Sequence, residues 1–405
     1  MKDKEIQKLI EKETARQKKV INLIPSENYV SKDVLTALGS IFDNKYAEGY
    51  PKKRYYGGNT FTDELEILCQ NRARKAFGLS DKLWHVNVQP HSGSPANLSV
   101  YLALVPPGGK IMGMTLTAGG HLTHGQKVSI TGKMWNQVPY GVDPKTEKLD
   151  YLALKKLARK EKPNLIVAGF TAYPRAVDFK KFREIADSVR LPAGRQGAFL
   201  MVDMSHVAGL VAGKAYNSPF LYADVVTTTT HKTLRGPRSA IIFSRKGKKL
   251  GDKEICVLID KAIFPGLQGG PHMGQIAGVA VCLKEAAAPA FKKYAKQVVK
   301  NCQALAKELG KLGWRIVSGG TESNLLLVDT WMSGKGLPGK EAEAKLEKAG
   351  IIVNKNTIPG ETRSPFDPSG IRLGAGAETT RGRKEKDMIK IARKIDTILR
   401  NGTKG

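Results

Sequence analysis

Asp224 to Arg238 reads D-V-V-T-T-T-T-H-K-T-L-R-G-P-R, and the fold turns on how that stretch is interpreted. Its β-branched run suits a buried strand, and Gly236 and Pro237 break the chain soon afterwards. His231 and Lys232 are thereby presented at the strand's end. A lysine there is either a solvated side chain after an edge strand or an amine held for chemistry. The residues around it favour the second reading.

Two similar runs come earlier, N-L-I-V-A-G-F and A-F-L-M-V-D, the second closing on Asp203. Near-continuous apolar runs of this kind predict sheet strands covered on both faces. Between them F-K-K-F-R-E-I-A-D-S-V has the period of an amphipathic helix, so the middle of the chain predicts βαβ units and a mostly parallel sheet. Ligands of such sheets gather outside the carboxyl ends of the strands. Asp203 and Lys232, each expected to close a strand, should face one crevice. Further upstream W-H-V-N-V-Q-P reads as a strand, and H-S-G-S-P-A-N followed by L-S-V-Y-L-A-L-V reads as a loop feeding a helix. Ser92, Gly93 and Ser94 then lie at a helix N-terminus, as a plain serine cap or as a cradle for phosphate.

The 405 residues are enough for two domains, and a 41% hydrophobic content is ordinary for a globular protein. The charged N-terminus has no apolar signal core and no apolar run approaches membrane-spanning length, so a cytoplasmic protein without a membrane span is expected. Cys69, Cys256, Cys282 and Cys302 have neither disulfide-framework nor zinc-like spacing, and no metal site is expected. Against 37 acidic residues stand 66 basic ones, a net charge of +29. The lysines are spread over helical patterns without aromatic interleaving, so nucleic-acid binding is read as incidental.

Residues 1–60 read as an N-terminal arm and a tyrosine-rich loop, 61–288 as a large α/β domain and 289–405 as a smaller C-terminal α+β domain, with Pro289 at the boundary. The arm carries a short apolar stripe of Ile6, Leu9 and Ile10. Asn44 to Gly58 sets four tyrosines among glycines and charges, a poor core segment and a good binding loop. From Phe61 to Phe77 a helical stripe is expected to bury Leu65, Leu68, Cys69, Ala73 and Ala76.

A strand-end lysine forms a Schiff base with a carbonyl when its environment favours the neutral amine. A buried aspartate such as Asp203 needs a positive partner, and a protonated pyridine nitrogen is one. With a helix-start phosphate cradle, these are the requirements of pyridoxal phosphate, the electron sink of amino-acid chemistry. Arg372, inside the apolar strand S-G-I-R-L-G, suits a substrate carboxylate or a structural ion pair. His121 is either a satisfied core histidine or a ring stacked on a flat cofactor, and Glu48 either a solvated carboxylate or an acid/base group.

Taken in order, Y-A-E-G-Y-P, V-Q-P-H-S-G-S, G-G-H-L-T-H-G, V-D-M-S-H-V-A-G-L, T-T-T-T-H-K-T, G-P-R, Q-G-G-P and S-G-I-R-L-G resemble the serine hydroxymethyltransferase family along almost the whole chain. The resemblance implies an aspartate aminotransferase-like, fold-type I pyridoxal phosphate enzyme. Its mostly parallel sheet would carry a smaller C-terminal domain, and it would interconvert serine and glycine with tetrahydrofolate through aldimine and quinonoid intermediates, with β-hydroxy amino acid aldolase activity beside it. By motif, Lys232 matches the cofactor lysine, Asp203 the pyridine partner, His206 the residue near the phenolic oxygen and His121 the stacked ring. Ser92, Gly93 and Ser94 match the phosphate loop, and Thr171 and Thr230 are further cofactor contacts. Glu48, Tyr56 and His231 match catalytic positions; Ser26, Arg238 and Arg372 match substrate contacts. Tyr46, Gly269 and Gly270 match residues that reach the neighbouring subunit's cofactor, which implies a homodimer with shared sites, with a tetramer also open. Leu116, Gly120, His121, Leu122, Asn356 and Ser364, Pro365 and Phe366 fall where the family binds folate. Ala118, Ser239, the G-A-G after Leu373 and an insertion at Leu191 to Gly197 depart from the family pattern.

Overall fold

The computed structural model describes residues 1–191 and 197–400. Seven strands form the central sheet: β1 (Trp84–Asn87), β2 (Lys110–Met114), β3 (Asn136–Tyr140), β4 (Leu165–Gly169), β5 (Phe199–Asp203), β6 (Val225–Thr229) and β7 (Ala240–Arg245). Their order is β1-β7-β6-β5-β4-β2-β3. β3, β2, β4, β5 and β6 run parallel, while β7 is antiparallel to both β6 and β1. All residues of β4 and β6 are buried, as their unbroken apolar and β-branched composition requires.

The flanking helices follow the expected periods with one instructive exception. α1 (Lys4–Lys19) buries nothing, and Ile6, Leu9 and Ile10 are exposed. In α2 (Thr60–Phe77) Cys69, Ala73 and Ala76 are buried, yet Leu68 is 43% exposed and Glu66 is fully buried. Arg54 explains the inversion: it pairs with Glu66 at 2.6 Å and Asp63 at 2.9 Å and donates to the carbonyls of Ala47 and Gly49, stapling the tyrosine-rich loop onto the helix. α3 (Gly93–Leu104) starts at Ser92, as expected. α4 (Phe179–Asp187) turns Phe179, Phe182, Ile185 and Ala186 inward and is capped by the Asp178 side chain. The stretch from Leu191 to Gly197 falls mostly outside the described residues.

α5 (Met273–Ala286) is followed by the long α6 (Pro289–Lys311), with proline at its first position. The two apolar cores divide inside α6. Phe291, Tyr294, Ala295 and Val298 pack into the large core, whereas Cys302, Leu305, Ala306 and Leu309 pack into the small one. Lys292, Lys293, Lys296 and Lys300 stay on its solvated face. The small unit has an antiparallel sheet of β8 (Arg315–Ile316), β9 (Leu325–Asp329), β10 (Asn354–Asn356) and β11 (Gly370–Gly374), ordered β8-β9-β11-β10. It ends in α7 (Gly376–Thr380) and α8 (Glu385–Arg400). No helix among the described residues is long and apolar enough to cross a membrane.

The segment before the large unit is built into the small one. Ile21 and Asn22 pair in parallel with Ile351 and Ile352, Leu23 is buried in the small core, and the Gly374 amide donates to Leu23 O at 2.7 Å. Glu378, fully buried between Arg381 and Arg383, accepts the Asn22 amide at 2.7 Å. This strap passes so close to β11 that a Cβ on Gly374 would lie 2.6 Å from Pro25 Cα, a main-chain atom that has no room to give. Gly374→Ala is therefore expected to destabilise the protein by roughly 1–3 kcal/mol, as overpacking does. Denaturant unfolding should show a lower midpoint at an unchanged slope, and an unaltered midpoint would contradict the packing argument.

Candidate active site

β5 and β6 end side by side, and the N-terminus of α3 points at the same place. There a cavity of about 360 Å³ is lined by Ser92, Gly93, Ser94, His121, Thr171, Asp203, His206, His231, Lys232, Arg238, Arg372 and Ser26, among others. β6 stops at Thr229, so Lys232 lies three residues beyond the strand, inside a turn closed by Gly236 N donating to Thr230 O at 2.8 Å. The lysine folds back so that Nζ donates to Thr229 Oγ1 at 2.9 Å. Burial pulls its amine down to about 8; Asp203 opposes the shift, while Arg372 and Arg238 reinforce it. A lysine so placed has a usable neutral fraction near physiological pH.

Asp203 is held by four donors. Its Oδ1 accepts from the Ser205 amide at 3.1 Å and the Ser205 hydroxyl at 2.6 Å, and its Oδ2 from Asn97 Nδ2 at 2.9 Å and His124 Nε2 at 3.1 Å. Burial alone would raise the carboxyl. The hydrogen bonds donated by His124, Ser205 and Asn97 outweigh it and hold the group well below the usual carboxylate range. The His121 amide donates to His124 Nδ1 at 3.2 Å, which leaves the His124 proton on Nε2, facing Asp203. Asn97 is fixed in turn by donating to Thr123 Oγ1 at 2.9 Å and accepting from Thr227 Oγ1 at 2.8 Å.

Three histidines at the cavity, His121, His206 and His231, are kept neutral. Burial lowers His121 to about 4, and its Nδ1 accepts from the Thr123 amide. His206 is held well below its usual range by burial and then by Lys232, and His231 is lowered to about 3 by burial. His206 Nδ1 and His231 Nδ1 are buried with no hydrogen-bond partner among the described residues. Ser92 caps no amide with its side chain, and a Cβ on Gly93 would meet Thr229 Cγ2 at 2.7 Å. Arg372, at the centre of β11 and only 7% exposed, donates to Asn354 Oδ1 at 3.1 Å and Thr171 O at 2.7 Å. It has no carboxylate in ion-pair range among the described residues, so the structural ion pair is not what fills its place. Burial lowers it to about 10.

These features fit pyridoxal phosphate on residues present in the chain. A helix start with an unused serine hydroxyl and a required glycine suits a phosphate. An ionised aspartate suits a pyridinium, and His206 Nδ1 is an unmatched polar atom beside the lysine.

The expected site residues fall into separate groups. Thr230 is fully buried with its hydroxyl donating to Pro237 O at 2.5 Å and lies off the cavity, whereas Thr229 lines it. Tyr46, Glu48 and Tyr56 also lie off the cavity, together with Gly269 and Gly270. The Tyr46 and Tyr56 rings meet edge to face at 5.0 Å, Tyr46 OH is 3.5 Å from Glu48 Oε1, and a Cβ on Gly269 would lie 3.1 Å from that same oxygen. Leu116 and Gly120 belong to the turn after β2, which is pinned by Thr171 N donating to Gly119 O at 2.7 Å. Leu122 is 42% exposed, Asn356 ends β10, and Ser364, Pro365 and Phe366 lie in the β10–β11 loop with Phe366 84% exposed. Of the residues expected at the folate site, only His121 lines the cavity.

Asn97, His124, Ser205 and Thr229 escaped the sequence reading. His124 follows His121 by one short turn in the same motif, and Asn97 sits one helical turn after Gly93, so spacing offered a signal for both.

A lysine just past a parallel strand, an ionised aspartate closing its neighbour and a helix start between them define the fold-type I class of pyridoxal phosphate enzymes. The serine hydroxymethyltransferase family model matches residues 1–395, and the chain belongs to that family. It is a pyridoxal phosphate-dependent glycine/serine hydroxymethyltransferase, a one-carbon transferase with tetrahydrofolate as cosubstrate.

Since the folded Asp203 carboxyl lies below its unfolded value of about 3.9, its stabilisation is complete above that pH and is lost as pH falls further. Asp203→Asn is expected to flatten the acid limb of the stability curve below about pH 4. Equal slopes for variant and wild type in acid titrations monitored by circular dichroism would contradict it.

Proposed function

We propose that Lys232 carries the cofactor, that Asp203 faces the pyridine nitrogen and that Arg372 grips the substrate carboxylate. The observation that supports this most is Arg372 itself, a buried guanidinium with no acidic partner among the described residues, opening on the same cavity as Lys232 and Asp203. When bound, pyridoxal phosphate supplies an electron sink for the bond broken at the α-carbon of an amino acid. The chain supplies the rest.

Asp203, ionised by its donors, keeps a proton on the pyridine nitrogen. The amine of Lys232, depressed to about 8, gives up and regains its place readily. Arg372 spends Nε on Asn354 and one Nη1 hydrogen on Thr171 O, leaving Nη2 and the other Nη1 hydrogen as a fork for a carboxylate, with Ser26 and Arg238 lining the same cavity. His121 offers a neutral flat face to the ring. His206 offers its unpaired Nδ1 near the phenolic oxygen, and His231 tunes which bond breaks. Ser92, Gly93 and Ser94 hold the phosphate.

Glu48, Tyr56, Tyr46, Gly269 and Gly270 serve the neighbouring subunit, which makes the working unit a homodimer with shared sites. Their clustering away from their own chain's cavity supports this. Glu48 holds and moves the proton at the substrate hydroxyl. Folate takes up the one-carbon unit among Leu116, Gly120, Leu122, Asn356 and the loop from Ser364 to Phe366. Because breaking the bond to the β-carbon needs the sink and the base but not the acceptor, slower folate-independent cleavage of β-hydroxy amino acids should accompany the main reaction. We place the enzyme in the cytoplasm.

Lys232→Ala and Asp203→Asn are each expected to remove serine cleavage; near-normal turnover by a purified variant would defeat the assignment. Arg372→Lys should raise the serine KM about a hundredfold with a smaller change in kcat, because an ammonium loses the fork geometry. Shared sites predict complementation. Lys232→Ala and Glu48→Gln subunits, mixed and reassembled, should recover about a quarter of wild-type activity, since half the dimers are mixed and each regains one site. No recovery on mixing would place both residues in one chain's site.

A further inference from the structure

Asn28 lies outside the cavity, yet four hydrogen bonds make it the junction between the lysine turn and the small unit. Its Nδ2 donates to Lys232 O at 3.0 Å and to Tyr294 Oη at 2.8 Å. Its Oδ1 accepts from the Tyr29 amide at 2.9 Å and from Thr380 Oγ1 at 2.7 Å. Both amide protons and both carbonyl lone pairs are therefore used. Since Lys232 O only accepts, the amide nitrogen must face it, and the orientation of the side chain is settled by chemistry.

The partners are what make the junction informative. Thr380 ends α7, which begins two residues after β11, the strand that bears Arg372. Tyr294 belongs to the stretch of α6 in the large core and is covered by the Arg235 guanidinium, 4.5 Å from its ring, on the same turn as Lys232. Arg235 holds a left-handed backbone at φ 62°, so that turn is itself strained and needs outside support. The strap that carries Asn28 is fixed to β11 by the Gly374–Leu23 bond. One amide thus connects the main chain of the lysine to the element that follows the arginine strand.

We infer that Asn28 is a positioning residue that sets the span between the Lys232 amine and the Arg372 guanidinium. An amino acid must place its nitrogen at one and its carboxylate at the other, so the span decides how well substrate is bound and aligned. Asn28 touches neither cofactor nor substrate; it acts through the Lys232 carbonyl on one side and α7 on the other.

The inference rests on the roles proposed for Lys232 and Arg372, and the test keeps the two apart. A cofactor visible band that survives unchanged in Lys232→Ala defeats those roles, whatever Asn28 does. In the holoenzyme, Asn28→Ala is expected to raise the serine KM about tenfold at near-normal cofactor content. The same variant should move the pH midpoint of the cofactor's visible band by about half a unit, because the lysine turn loses its anchor. Thr380→Val cuts the link to α7 together with the hydroxyl's own bond to Gly376 O at 3.2 Å, leaves the Asn28 bond to the Lys232 carbonyl in place, and should raise the serine KM without moving that midpoint. A residue that merely supports the fold would lower the melting temperature and the active fraction without touching KM or the midpoint, and that result for Asn28→Ala overturns the inference. Should Asn28→Ala fail to fold, Thr380→Val decides alone, and an unchanged serine KM overturns the inference.

Discussion

One buried negative charge organises the centre of this molecule. Asp203 closes β5 in a place where an unpaired carboxylate would take up a proton, and Asn97, His124 and Ser205 supply enough donors to prevent it. Each donor is fixed by a different element. Asn97 comes from α3, His124 from the short turn after β2, and Ser205 from the loop that also accepts the Thr229 amide at 3.0 Å. The strand ends, the phosphate-type helix start and the His121 turn are therefore locked to one another through a single carboxylate. A buried network of this kind tolerates little error, since every group in it is expensive to leave unmatched.

The same network explains which parts of the site were legible in the sequence. Lys232, Asp203 and the Ser92 to Ser94 loop announced themselves because strand, breaker and helix-start signals act over a few residues. Arg372 announced itself as a charge in an apolar strand, but sequence left its partner open. Only the fold, by bringing Asn354 and Thr171 O to it and no acid, removes the ion-pair reading. That Thr229 and not Thr230 lines the cavity was not legible, because an alternating strand reverses a side chain's direction with each residue and four consecutive threonines give no register of their own. Leu68 was misjudged for a different reason. Helical period alone favours the leucine inward, and a distant arginine reverses it.

Domain organisation shows the limit of reading a chain in order. Pro289 is a true helix start, but a helix of 23 residues, roughly 35 Å long, can enter one core and leave through another. The strap at residues 20–28 is more remote still. Its partners, Ile351, Gly374, Glu378 and Thr380, are over 300 residues away in sequence, and no local signal in I-N-L-I-P-S-E-N predicts them. Long-range pairing of this kind is invisible to periodicity and carries the geometry that relates the two units.

The cavity holds an electrostatic imbalance that its own chain does not relieve. Lys232, Arg238 and Arg372 face it, against Asp203, already committed to its four donors, and Glu27, which accepts from Asn22 at 2.8 Å. Burial pulls both Lys232 and Arg372 down, so their charged forms are carried at a loss in the protein alone. A phosphate at the helix start and a carboxylate at Arg372 are the two negative groups that correct the sum, and they are the groups that cofactor and amino acid bring. The strain of an uncompensated site thus becomes affinity for both, and by linkage the filled protein must be more stable than the empty one. That ordering follows from which charges the chain leaves unpaired, before any step of the reaction is considered.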